Sequence, residues 1–217
     1  MVVVTAKQLD EIVHMLAGRR RVLLLGCNTC AAVALAGGDR EVETMIQALQ
    51  LAISRRGMTV EFVGGVLQRQ CEPEYVEAMD AEDIDAILSL GCGAGVAMLA
   101  AQTGIPVYPA LDTLFIGAAQ GLGSWRAECS ACGSCVLGET AGICPVTRCA
   151  KGILNGPCGG VNDGECELGD RPCAWVEIHE RLESQGRGAS FAHENPPKDD
   201  SAGEMYQWDL SAKGGSR

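Results

Sequence analysis

Apolar residues fall in short unbroken runs along the first half of the chain, with helix-spaced apolar positions between the runs. Leu9, Ile12, Val13 and Leu16 share one helical face, and Thr5 stands where an N-cap would, so a helix is expected near the start. Val22-Leu23-Leu24-Leu25 follows as a continuous run, which suits a strand buried on both faces of a parallel sheet. Gly37-Gly38-Asp39 breaks the chain, and a second helix should carry Val42, Met45, Ile46, Leu49 and Ile53 inward and end at Gly57. Residues 59–63 give a second strand, 86–90 a third and 106–108 a short fourth. Strand alternating with helix implies parallel strands joined by right-handed crossovers.

We therefore expect an α/β domain over residues 1–120, with an open parallel sheet in the flavodoxin-like order 2-1-3-4, counting strands along the chain. The pattern then changes. From residue 121 to 172 the chain is rich in Gly, Cys and Pro and has little hydrophobic periodicity. Such a stretch cannot build a core by itself, so bound metal should organise it. Residues 121–183 are expected to form a cysteine-rich, ferredoxin-like domain with one short helix, 175–182. After Ser184 the chain turns polar, with Gly186, Gly188, Pro196-Pro197 and Gly214-Gly215. That composition gains order only when something holds it, and residues 184–217 are expected to dock on a partner subunit.

Composition narrows the class. The chain has 217 residues, enough for one large or two small domains. Apolar content of 47% can fill a core, and an aromatic content of only 4% makes that core mostly aliphatic. A formal net charge of −11 argues against nucleic acid or an anionic membrane as partner. No apolar run is long enough to span a membrane. Met1-Val2-Val3-Val4 leads into polar sequence rather than a secretory signal, so a cytoplasmic protein is expected.

The twelve cysteines carry the chemistry. An even count suits disulfides, but a chain of this size needs no staples, and Cys-x2-Cys steps suit a metal better. Cys27, Cys30, Cys71 and Cys92 each lie just past an expected strand. The carboxyl ends of parallel strands line one edge of an open sheet, about 4.8 Å apart, and ligands bind there. Four cysteines in loops above three neighbouring strands can thus meet around one [4Fe–4S] cluster. The competing reading makes Cys27 and Cys92 buried small hydrophobes. Gly91-Cys92-Gly93-Ala94-Gly95 is a poor match to a nucleotide-binding loop, and its glycines are expected to let backbone amides approach cluster sulfurs.

The other eight cysteines are Cys129, Cys132, Cys135, Cys144, Cys149, Cys158, Cys166 and Cys173. The triplet Cys129-x2-Cys132-x2-Cys135 can wrap three corners of a cubane, and Cys144-Pro145 is the kind of step that follows in bacterial ferredoxins, although eight residues rather than three separate it from the triplet. Two more clusters are expected. Cys149 or Cys173 would complete the triplet, and Cys144, Cys158 and Cys166 would belong to the other cluster. Zinc at one of these C-terminal sites is the competing occupant, because four-cysteine zinc sites also use Cys-x2-Cys. His14, His179 and His193 sit in no catalytic pattern, and His14 and His179 are expected to be surface or packing residues on helices.

Cys129-Ser-Ala-Cys132-Gly-Ser-Cys135-Val-Leu-Gly, Gly142-Ile-Cys144-Pro145-Val-Thr-Arg-Cys149, Leu154-Asn155-Gly156-Pro157-Cys158-Gly159-Gly160, Cys166-Glu and Pro172-Cys173-Ala-Trp175 together resemble the cysteine-rich C-terminal domain associated with methylenetetrahydrofolate reductase. Leu25-Gly26-Cys27-Asn28-Thr29-Cys30 resembles the start of the small subunit of heterodimeric reductases of the Wood–Ljungdahl pathway of one-carbon metabolism. The likeness covers roughly residues 20–182, and the Asn-Gly-Pro-Cys-Gly-Gly segment is its most specific part. It implies an electron-transfer subunit with no catalytic residues of its own. The partner it implies is a large subunit that carries the flavin and reduces methylenetetrahydrofolate to methyltetrahydrofolate. A further electron-donating subunit would stand upstream. The competing functions are an iron–sulfur carrier for another flavin or corrinoid enzyme, and a zinc-binding assembly subunit.

Overall fold

Leu23, Leu24 and Leu25 are each at most 4% exposed, and a strand with no wet face must lie inside a covered sheet. A computed structural model describes residues 1–169 and 171–198. The chain divides into two units, one ending at Arg126 and the other beginning at Ala127.

The first unit runs β1 (Val2–Ala6), α1 (Leu9–Met15), β2 (Arg21–Cys27), α2 (Cys30–Val33), α3 (Asp39–Ser54), β3 (Glu61–Leu67) and α4 (Pro73–Glu77). It continues with β4 (Ala86–Leu90), α5 (Gly93–Thr103), β5 (Val107–Pro109), β6 (Leu111–Gly121) and β7 (Ser124–Cys129), the last ending just past the division. Four strands form a parallel sheet in the order β3-β2-β4-β5, the 2-1-3-4 order read from the sequence. Successive side chains of a strand point to opposite faces, and the core follows that alternation. Val22 and Leu24 pack with Ile12, Leu16, Leu49 and Ile53 of α1, α3 and the turn after α1. Leu23 and Leu25 pack with Val76 of α4 and Leu99 of α5 on the other face.

The start of the chain departs from expectation. Thr5 does not cap a helix: it lies in β1, paired with Asp112 of β6. The helix begins at Leu9, after Gln8, whose side chain makes no capping bond. The opening Val-Val-Val run finds its partner far along the chain, in a second sheet of order β1-β6-β7. Within β6, residues Leu114 and Ile116 stay exposed, and Leu122 in the following turn is 96% exposed.

The second unit holds α6 (Pro145–Arg148), a short hairpin of β8 (Val161–Asn162) and β9 (Glu165–Cys166), α7 (Ala174–Ser184) and a 3-10 turn at Gly188–Ala192. Its core is small: Ala141, Ile143, Trp175, Ile178 and Leu182, edged by Cys149, Cys173 and Phe191. Most of it comes from α7. The stretch 121–172 adds only Ala141 and Ile143, which is why its composition gives no sign of a core. Arg148, only 12% exposed at its side chain, reaches Glu177 of α7 at 2.7 Å and Glu128 at 3.8 Å, and so fixes α6 between the end of β7 and α7.

Residues 185–198, the first part of the expected docking tail, fold back on their own unit. The Phe191 ring stands edge-on to Trp175 at 6.0 Å and to His179 at 4.8 Å. The rest of that tail, 199–217, lies outside the described residues. Phe191→Ala is expected to lower stability by about 1–2 kcal/mol in denaturant unfolding, below the ~3–5 of a fully buried phenylalanine, because its ring is partly exposed. A loss under half a kcal/mol would mean the fold-back adds nothing. No helix among the described residues is long and apolar enough to cross a membrane.

Candidate functional site: three groups of cysteines

All twelve cysteines are free thiols. Cys27 ends β2, Cys30 opens α2, Cys71 lies in the loop after β3, and Cys92 stands between β4 and α5 as the N-cap of that helix. The carboxyl edge of the sheet therefore carries all four, as the strand order predicts. The Cys71 thiol, though exposed, is pushed above its usual range chiefly by partial loss of water around it, and further by the nearby sulfurs of Cys92 and Cys27. These three sulfurs thus share one electrostatic neighbourhood. The Cys27 sulfur lies 3.5 Å from the Thr29 hydroxyl, in the turn that leads to Cys30. The start of α5 favours negative charge, such as an anionic cluster would bring.

Gln70 is the residue that sequence reasoning missed. It is fully buried, one position before the exposed Cys71. Its amide donates to the carbonyls of Leu25 at 2.6 Å and Gly26 at 3.0 Å, at the end of β2. Its oxygen accepts from the Ser89 hydroxyl of β4 at 2.6 Å, and Ser89 in turn accepts from the Gly91 amide at 3.1 Å. The loop after β3 is thereby pinned across the ends of β2 and β4. A Cβ at Gly91 would come within 2.2 Å of the Gln70 side-chain oxygen, and one at Gly95 within 2.8 Å of its Cβ. Those two glycines make room for Gln70. The expected role, admitting amides to a cluster, has this simpler steric reason beside it. A lone glutamine between Arg69 and Cys71 gives no sequence signal that it is buried.

In the second unit Cys129, Cys132, Cys135 and Cys144 line one cavity of about 80 Å³, together with Lys198. Cys149 and Cys173, the expected partners of the triplet, do not line it; they pack on the small core beside α7. Lys198 donates from Nζ to the Cys132 sulfur at 3.0 Å and to the Ser134 carbonyl. The hydrogen bond from that ammonium holds the Cys132 thiol below its usual range, against a smaller opposing effect of burial. Nothing in the sequence points to Lys198, which sits in polar tail-like surroundings.

Of the remaining four cysteines, Cys166 and Cys173 are tied by backbone bonds at the β8–β9 hairpin, whereas the Cys149 amide bonds the Pro145 carbonyl of α6. The Cys173 amide donates to Gly164 at 2.8 Å and the Cys166 amide to Arg171 at 3.0 Å. The Cys158 sulfur accepts from the Gly160 amide at 3.4 Å and lies 3.6 Å from Lys151 Nζ. Trp175 Nε1 donates to the Ile153 carbonyl at 3.1 Å, which ties the loop from Cys149 to Cys158 onto α7. The Thr147 hydroxyl, between Cys144 and Cys149, is buried without a hydrogen-bond partner.

Among the described residues no three His, Cys, Asp or Glu side chains converge closely enough to hold a single metal ion. A tetrahedral zinc site with Zn–S bonds near 2.3 Å sets its sulfurs ~3.8 Å apart. Thiolates at the corners of a cubane stand farther apart. His14 is exposed on α1, and His179 lies on α7, 3.8 Å from Glu183, so neither takes part in these groups. A wider cleft of about 520 Å³, lined by Glu139, Arg187, Ser190 and His193 among others, contains no cysteine.

Residues 108–201 match the model of the family described as methylene-tetrahydrofolate reductase C terminal. The matched stretch is under half of the chain and includes the eight C-terminal cysteines. The chain thus carries a methylenetetrahydrofolate reductase-related C-terminal domain. Comparison with curated proteins gave no match. A crystal structure of an extracellular ligand-binding receptor from Verminephrobacter eiseniae aligns at 17% identity and a TM-score of 0.33, over 46% of this chain and 28% of that one. A likeness at that level carries no argument.

Proposed function

We propose that this chain is the iron–sulfur subunit of a methylenetetrahydrofolate reductase complex. It would pass electrons to a separate flavin-bearing subunit that reduces methylenetetrahydrofolate to methyltetrahydrofolate. The observation that carries the reading is the cavity lined by four cysteines inside the segment that matches the reductase-related family.

In this reading Cys27, Cys30, Cys71 and Cys92 hold one [4Fe–4S] cluster at the carboxyl edge of the sheet. Cys129, Cys132, Cys135 and Cys144 hold a second. Cys149, Cys158, Cys166 and Cys173 hold a third. Each cluster, when bound, passes one electron at a time. The chain's own residues hold the thiolates in place: Gln70 sets Cys71, Arg148 sets the helix between Cys144 and Cys149, and Trp175 anchors the loop from Cys149 to Cys158.

The test is anaerobic purification of the chain alone and beside its flavin subunit, with iron, sulfide, zinc and flavin analysis. The expected result is a brown protein with about 12 iron per chain, no flavin, and no folate reduction until the flavin subunit is added. A colourless protein with stoichiometric zinc would replace the electron-carrier reading with an assembly role. Folate reduction by this chain alone would overturn it. Copurification with a different flavin or corrinoid enzyme would keep the carrier and change its partner.

A further inference from the structure

The segment after the 3-10 turn reaches the cavity of the second cysteine group with Lys198, and a clasp between two asparagines holds it. Asn195 is only 5% exposed. Its amide donates to the Asn155 side-chain oxygen at 2.8 Å, and the Asn155 side chain returns a bond to the Asn195 carbonyl at 2.8 Å. Asn155 belongs to the Asn-Gly-Pro-Cys segment that carries Cys158. The clasp therefore spans from a loop of the third group to a lysine of the second. Three residues past Asn195, Lys198 sets its ammonium 3.0 Å from the Cys132 sulfur and bonds the Ser134 carbonyl. An ammonium has three donors and no acceptor, and two of them are aimed at the Cys132–Cys135 turn.

We infer that Lys198 is a positioning charge, held by the Asn155–Asn195 clasp, that raises the reduction potential of the group bound by Cys129, Cys132, Cys135 and Cys144. The inference rests on the iron–sulfur reading of that cavity. An electron added to a cluster makes it more negative, and a cation in hydrogen-bond contact with a ligand sulfur stabilises the reduced form more than the oxidised form. The chain carries a net charge of −11, so a cation at this point opposes the field of the rest of the protein.

The experiment is a redox titration, followed by electron paramagnetic resonance, of the full chain purified anaerobically as wild type, Lys198→Met, Lys198→Arg and Asn195→Ala. Iron and zinc are measured first. Full iron, with one midpoint potential lowered in Lys198→Met and Asn195→Ala and restored in Lys198→Arg, is the expected result. The component that moves should be the one missing from Cys144→Ser. Unmoved midpoints in an iron-replete Lys198→Met protein would overturn the tuning role. So would an equal fall in Lys198→Arg, since charge would then not be the cause, or loss of iron in Lys198→Met, since the lysine would then be a structural prop. A wild-type cavity without iron fails at the metal analysis, before any titration, and removes this inference together with the reading beneath it.

Discussion

Replacing Gln70 with leucine is expected to destabilise the first unit by about 3–5 kcal/mol and, on the proposed iron–sulfur reading, to strip iron from the first cysteine group. The side chain is fully buried and makes three hydrogen bonds, to two carbonyls of β2 and to the Ser89 hydroxyl of β4. Each buried partner left unpaired costs about 1–3 kcal/mol, whereas leucine restores only apolar volume. The sheet survives, because Leu24, Leu25, Leu88 and Leu90 still pack on both faces. What is lost is the pin that places Cys71. Denaturant unfolding should show the fall in stability, and metal analysis a loss of about four iron per chain. Cys71→Ala should remove the same iron with a far smaller effect on stability, since that side chain is exposed. If Gln70→Leu keeps both its stability and its iron, the pin has no such role. If Cys71→Ala keeps its iron, the first group does not include Cys71.

On the proposed reading of three clusters, Cys144→Ser is expected to abolish the second and leave the other two. Cys144 is 9% exposed and lines the cavity of the triplet, whereas Cys149, five residues on, packs against the α7 core. The short helix α6 separates them. Cys144→Ser and Cys129→Ser should therefore remove the same spectroscopic component, with about four iron each. Cys149→Ser should remove a different one. Should Cys149→Ser and Cys129→Ser erase the same signal, Cys149 completes the triplet after all and the cavity is not the ligand shell.

The parallel sheet was legible because its strands are buried on both faces. Val22 to Leu25 and Ala86 to Leu90 read as unbroken apolar runs, and an unbroken run flanked by helical spacing has few other meanings. β1 was not legible for the same reason turned around. Val2-Val3-Val4 adjoins an amphipathic helix with no turn residue between them, so Thr5 looks like a cap while it serves as a strand residue. β6 and β7 lack both signals: most of their side chains are exposed, and neither face is consistently apolar. At the sites, the cysteines announce themselves by residue type, but the residues that place them do not. Gln70, Arg148, Asn195 and Lys198 are ordinary polar residues whose partners lie far away in sequence. Spacing alone makes Cys144, Cys149 and Cys173 equally available to the triplet; Cys144 lines its cavity, while Cys149 and Cys173 pack beside α7.

The pairing of β1 with β6 sets a waiting time on synthesis. The backbone bonds between Met1 and Gly117 join residues 116 apart in sequence. At ribosomal speeds of about 5–20 residues per second, on the order of ten seconds pass between the two strands emerging. During that interval Val3 and Val4, buried in the finished fold, form a bare edge of high β-propensity. Cys27, Cys30, Cys71 and Cys92 are by then already made, and the parallel sheet that carries them needs nothing beyond β5. The first cysteine group can therefore be in place while the N-terminal strand is still without a neighbour. In a cell, the hazard of nascent-chain association during that interval falls on Val3 and Val4.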